Sequence, residues 1–249
     1  MSKHNYGWKK DTEDTRDYQY KLPETTTPLP TSTDLTSKCP PIVDQGQLGS
    51  CTANGAAGVL EYDMLLQQEQ DTTPSRLFIY YNTRDIEGTV DSDSGASIRD
   101  TIKSVTQFGA CSESEWPYDI STFTNKPSEQ CYTDALLHKA VKYMSVTHSL
   151  VHVKSALAEG FPVIFGFTCF ESLESQEVDD TGDIPYPKHG EQEIGGHCVL
   201  LVGYDDNVQK FLMRNSWGTS WGKQGYGTMP YKYIKGKYSS DFWIVETVY

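Results

Sequence analysis

Cys51 closes the run Asp44-Gln45-Gly46-Gln47-Leu48-Gly49-Ser50-Cys51, a turn punctuated by glycines that delivers a thiol to the point where an apolar helical pattern begins. A helix N-terminus offers unpaired amides and the positive end of the dipole, which favour the thiolate, the reactive form of cysteine. His197 opens a second pattern, Gly195-Gly196-His197-Cys198-Val199-Leu200-Leu201-Val202-Gly203-Tyr204, where a strand core would ordinarily be hydrophobic. Asn215 follows the next apolar run, and its side-chain oxygen can accept a hydrogen bond from one imidazole nitrogen while the other faces a thiol. Singly, a cysteine at a helix start and a histidine in a strand are ordinary structural residues. Together, thiol, imidazole and amide make a nucleophile, a base and an orienting group.

In that order, QGQLGSC, GGHCVLLVGY and RNSWGTSWGKQGYG resemble the motifs of the papain-like cysteine peptidases, and GACSESEWPYD resembles a further family segment. His197 lies 146 residues after Cys51, and Asn215 lies 18 after His197, within the spacing known for the partners of this nucleophile. The likeness runs from about Cys39 to Tyr233. It implies Cys51 as nucleophile, His197 as general base and then acid, and Asn215 as the holder of the imidazole. It also implies Gln45 as an oxyanion donor beside the Cys51 amide, a kind of contact whose loss costs about 10²- to 10³-fold in rate. By the same resemblance Trp217 screens the Asn-His bond, Gly95 pairs with substrate backbone with Ala96 and Ser97 near the adjoining pocket, and Gly195 and Cys198 line a roomy main pocket. Peptide or protein is the implied substrate, and no metal or organic cofactor is required. Two residues depart from the common pattern: Thr52 replaces a frequent Trp, and Leu48 replaces a disulfide cysteine. The alternatives are a related acyl-transfer enzyme (amidase, ligase or transglutaminase-like) and a catalytically silent peptide-binding relative.

The elements that must position these groups follow from periodicity. Ala53, Ala56, Ala57, Leu60, Met64 and Leu65 recur at helical spacing, predicting a buried helix from Ser50 to Gln68 with Ser50 able to cap its first amides. Further helices are expected over Pro74–Arg84, Ser97–Phe108 before Gly109, and Val151–Glu159 before Gly160. Residues 162–170, 197–204 and 210–214 are short, apolar and turn-bounded, and read as strands. Helices first and strands later predict an α+β protein. With the resemblance, this becomes a papain-like two-lobe fold: a mainly helical lobe over about 45–145, a β-barrel-like sheet lobe over about 146–249, and the site in the cleft between them. Residues 39–249 form the expected catalytic domain.

Residues 1–38 are polar and then rich in Thr and Pro, the composition of an extended arm. The expectation is a proregion-like cover, led by its Pro/Thr-rich part, lying in the cleft and making the protein a zymogen. The chain has 249 residues and a net charge of -13, which repels a phosphate backbone and excludes nucleic acid as the natural partner. Its longest apolar runs are far shorter than the roughly 20 residues of a spanning helix, and its start lacks a secretory signal. The expectation is therefore no membrane partner, an intracellular setting and a monomer. Between Glu171 and Glu193 a segment expected as a loop carries a net -7, from which a preference for basic substrates follows.

Overall fold

The computed structural model describes residues 3–24, 28–67, 73–137 and 140–247. Its helices are α1 (Cys51–Leu66), α2 (Arg76–Glu87), α3 (Ile98–Gln107), α4 (Glu129–Ala135), α5 (Leu150–Ala158), α6 (Gln176–Thr181) and α7 (Tyr231–Lys235). Its strands are β1 (Trp8–Lys9), β2 (Ser32–Asp34), β3 (Ala96–Ser97), β4 (Ala140–Ser145), β5 (Val163–Phe170), β6 (Glu193–Asp205), β7 (Lys210–Arg214), β8 (Tyr226–Pro230) and β9 (Ser239–Thr247). Gln68, the expected end of the first helix, and residues 25–27 of the Thr/Pro stretch lie outside the described residues.

Helix α1 is buried on nearly every side, the mark of a core helix. Its small residues let the sheet come close. A Cβ on Gly55 would stand 2.9 Å from Cδ1 of Ile164 and 3.4 Å from Sγ of Cys198, and one on Gly58 would stand 2.9 Å from Nη1 of Arg214. The expected helix ends hold to within a few residues because capping fixes them. Ser75 caps α2, accepting from the Phe78 amide, so Pro74 falls before the cap. Ser97 caps α3, and Gly109 follows that helix in the left-handed region.

The main sheet runs β4-β9-β5-β6-β7-β8, with β2 added to β6, and its pairs are antiparallel. Among the described residues β4 and β8, the two ends of the order, do not pair with each other, so the sheet lobe is an open sheet and not a closed barrel. Strand β6 pairs with β5 along its first two thirds, placing His197 opposite Phe167. The acidic segment is not wholly loop: it contains α6, capped by Ser175.

The arm divides into two parts. From Tyr18 onward it is stitched to the body: Tyr20 and Ser145 bond through their backbones, the Tyr20 hydroxyl reaches Ser155, β2 pairs with β6, and Leu35 is buried. Residues before Tyr18 cross to the helical side, where β1 pairs in parallel with β3, Trp8 opposite Ala96 and Lys9 opposite Ser97. Arg99 holds this crossing by bonding the Thr12 carbonyl and the Asp17 carboxylate.

Close approach of α1 to the sheet gives a stability test. Gly55→Leu overpacks the contact with Ile164 and Cys198, at a cost of about 1–3 kcal/mol. Calorimetry should show Tm falling by about 2–4 °C for each kcal/mol; an unchanged Tm would mean that the helix does not bear on the strand there.

Candidate active site

The turn before α1 is held from several sides. The Gln45 amide donates to the Ser216 carbonyl at 2.8 Å, Arg76 Nη1 donates to the Asp44 carbonyl at 2.9 Å, and the Tyr118 hydroxyl donates to the Gln45 carbonyl at 3.0 Å. Gly46, at φ 57°, makes the bend, and the Gly49 amide lies 3.0 Å from both carboxylate oxygens of Asp93. Ser50 does not cap the helix with its side chain. Its hydroxyl instead meets Tyr118 and accepts from Asn54, so the first amides of α1 stay available to the Cys51 sulfur.

His197 and Asn215 meet across the sheet lobe. His197 Nε2 lies 2.8 Å from Asn215 Oδ1, which also accepts from the Ser216 amide at 2.8 Å. The backbone donor fixes which end of the Asn215 amide is oxygen, and an acceptor there requires the proton of His197 on Nε2. Nδ1 is buried with no hydrogen-bond partner. The amide of Cys198, next to His197, donates toward the Cys51 sulfur, which brings α1 and β6 together at the two reactive groups. Trp217 stacks on the imidazole with centroids 4.5 Å apart.

Gln45 is oriented from its oxygen. Oε1 accepts from the Ser216 hydroxyl at 2.7 Å, and Nε2 donates to the Leu48 carbonyl at 2.9 Å and to the Asn5 carbonyl, in the arm, at 3.1 Å. The arm fills the rest of the site. The Gly7 amide donates toward the Cys51 sulfur, the Tyr6 ring meets His197 edge-on, and His4 lies flat on the outer face of Trp217 at 3.8 Å. Cys51 and His197 are both fully buried. Burial pushes the Cys51 thiol up to about 11 despite the donors around it, and holds His197 down to about 3 against its bond to Asn215. Desolvation thus favours the uncharged form of both groups.

The residues expected to bind substrate divide around the arm. The Ala96 amide donates to the Gly7 carbonyl at 2.8 Å, and Gly95, at φ 68°, lies so close that a Cβ would stand 2.2 Å from that oxygen. Ser97 pairs with Lys9 through β3 while its hydroxyl caps α3. A Cβ on Gly195 would stand 2.6 Å from Cβ of Tyr6. Cys198 is buried with its sulfur against Gly55 of α1, and the wall facing the arm at this level is made by Gly166 and Gly196. The segment over the reactive groups is His4–Trp8 rather than the Pro/Thr-rich stretch, because β2 and Leu35 tie the latter to the sheet. The sequence pattern does not mark Ser216 or Asn5–Trp8; the Gly7-Trp8 pair inside a polar arm is the available signal.

Residues 29–240 match the papain family cysteine protease description. An uncharacterized peptidase C1-like protein of Acanthamoeba polyphaga mimivirus is 46% identical over 216 residues, covering 83% of this chain and 70% of that protein. Xylellain, a cysteine protease from Xylella fastidiosa, superposes with a TM-score of 0.92 at 41% identity, covering 98% of this chain and 97% of that one. A procathepsin B from Trypanosoma congolense shares the fold at a TM-score of 0.77 and 18% identity, covering 98% of this chain and 87% of that one. The family match over most of the chain, joined to a thiol at a helix start beside an Asn-held imidazole, establishes that the chain belongs to the papain family of cysteine proteases.

Proposed function

We propose that the chain hydrolyses peptide bonds through a thioester on Cys51, and that its first residues hold the site shut until displaced. The observation that carries the reading is the 2.8 Å contact between His197 Nε2 and Asn215 Oδ1 with Nδ1 left unpartnered. In the mechanism the Cys51 proton passes to Nδ1, and the sulfur attacks the peptide carbonyl. Nδ1-H then protonates the departing amine, leaving a thioester. A water gives its proton to Nδ1 and attacks that thioester, and the thiol leaves with its proton restored from the imidazole. The Cys51 amide and Gln45 Nε2 face the oxyanion, and the Ser216 hydroxyl positions Gln45 by holding its other end.

Each of these groups is engaged by the arm. The Asn5 carbonyl takes a hydrogen of the oxyanion donor, the Gly7 amide lies on the nucleophile, and His4 and Tyr6 cover Trp217 and the imidazole. Desolvation by this cover favours neutral thiol and neutral imidazole, the unreactive pair. Only glycine fits where the arm crosses: a Cβ on Gly7 would stand 1.8 Å from the Gly49 carbonyl oxygen.

Gly7→Val should therefore dislodge the arm in an otherwise complete chain. Intact mass should show rapid single addition of an epoxide inhibitor of cysteine peptidases to Gly7→Val, slow addition to the wild type, and none once Cys51→Ala is introduced. Equal rates for the first two would remove the cover. In the Gly7→Val background, Gln45→Ala should lower kcat about 10²- to 10³-fold. Ser216→Ala should lower it less, with KM little changed in both; a change confined to KM would take Gln45 out of the transition state.

A further inference from the structure

The peptide unit joining Leu48 to Gly49 lies between the Gln45 side chain and a carboxylate. On one side its carbonyl, the Leu48 oxygen, accepts from Gln45 Nε2 at 2.9 Å and from the Ser50 amide at 2.8 Å. On the other side its N-H, that of Gly49, lies 3.0 Å from both carboxylate oxygens of Asp93. The N-H and C=O of a trans peptide point opposite ways in one plane, so whatever turns the N-H turns the carbonyl with it. Asp93 is itself aimed: the Tyr80 hydroxyl donates to its Oδ1 at 2.5 Å while accepting from the Gly95 amide at 3.1 Å. Burial and the bond to Asp93 push the Tyr80 hydroxyl up, which keeps it a donor. Among the described residues no Lys or Arg pairs with Asp93. The loop that carries Asp93 is held separately, because Arg84 Nη1 donates to the Val90 carbonyl at 2.6 Å and to the Ser92 carbonyl at 3.1 Å.

We infer that Asp93 is a positioning residue for the oxyanion donor: acting through the peptide between Leu48 and Gly49, it holds the Leu48 oxygen toward Gln45 and so sets where Gln45 Nε2 points. This rests on the peptidase reading and adds to it a residue that acts through another and not at the reacting atoms. An ionised carboxylate can only accept. It therefore admits the observed setting of the peptide and repels the reverse one, which would turn the Leu48 oxygen onto Asp93 and take the acceptor away from Gln45. Glycine at position 49 makes such a hold necessary, since a backbone without Cβ turns more freely than any other. A charged acceptor on the N-H also polarises the amide and strengthens its carbonyl as an acceptor. The Ser216 hydroxyl holds Gln45 Oε1 from the sheet side, and Asp93 supplies the hold on Nε2 from the helical side.

Two readouts separate this role from a merely structural one. In the Gly7→Val chain, kcat and KM on a peptide substrate are measured for Asp93→Asn and Asp93→Ala, each with and without Gln45→Ala. Asparagine keeps the size but offers a donor to the reversed carbonyl, alanine removes the acceptor, and the position is exposed, so neither change disturbs the core. Each should lower kcat about tenfold, the scale of one hydrogen bond to a charged group, with KM little changed. In the Gln45→Ala background the same substitutions should lower kcat less than about twofold, because residues of one network do not add. A loss as large in that background as without it, a change confined to KM, or no loss at all overturns the inference. The second readout needs no hydrolysis. In nitrogen-15 spectra of the full chain the Gln45 side-chain amide is the pair of signals lost in Gln45→Ala, and both Asp93 variants should shift one of its two protons upfield as the bond to Leu48 loosens. Unmoved signals overturn the inference. If they move while no form cleaves peptide, the peptidase reading fails and the positioning of Gln45 by Asp93 stands.

Discussion

Asn215 Oδ1 receives two donors, the imidazole Nε2-H and the Ser216 amide, and the rest of the site depends on that shared acceptor. An oxygen that can only accept fixes the imidazole tautomer and so makes Nδ1 the basic nitrogen. Ser216 links this to the opposite wall, because its hydroxyl holds Gln45 Oε1 and its carbonyl holds the Gln45 amide. His197 and Gln45 are therefore held by consecutive residues, Asn215 and Ser216, and cannot be arranged independently. Around them, Trp217 stacks on the imidazole and Trp221 meets Trp217 edge-on at 5.5 Å.

Burial governs the state of this arrangement. A thiol and an imidazole exchange a proton readily only where the resulting charges are solvated or paired, and the arm removes the solvent. Its backbone also engages polar groups of the site: the Asn5 carbonyl accepts from Gln45 Nε2 and the Gly7 carbonyl accepts from the Ala96 amide. The arm thus resembles a bound peptide in its contacts. What retains it is distributed, from Lys3 on Asp179 to Arg99 on Asp17, and most of those contacts are polar and partly exposed, the kind that an opening equilibrium can break.

Much of this was legible in the sequence because local chemistry fixes it. Glycines 46 and 49 announce the turn before Cys51, and the small residues of α1 announce a helix packed on every side. The alternation in β6 puts His197 and Cys198 on opposite faces, which the residue pattern contains but a motif comparison passes over. The short strands β1, β2 and β3 were not legible, because two or three residues carry no period; partners distant in the chain make them strands. Ser50 illustrates the limit of a local rule. It has the residue type of a cap, yet Tyr118, 68 residues away, claims its hydroxyl. The contact of Asp241 with Trp8 was hidden for the same reason: it comes from a register slip between β5 and β9 and from a partner far along the chain.

The central claim is that the arm keeps Cys51 and His197 uncharged, and the ring nitrogens of His197 report this directly. Nitrogen-15 chemical shifts of the full chain, followed from pH 8 to pH 4, should show a neutral ring protonated on Nε2 throughout, in keeping with a pKa held down to about 3. An imidazolium signal at neutral pH in the arm-docked chain would mean that the thiolate-imidazolium pair forms under the cover, and would contradict the account.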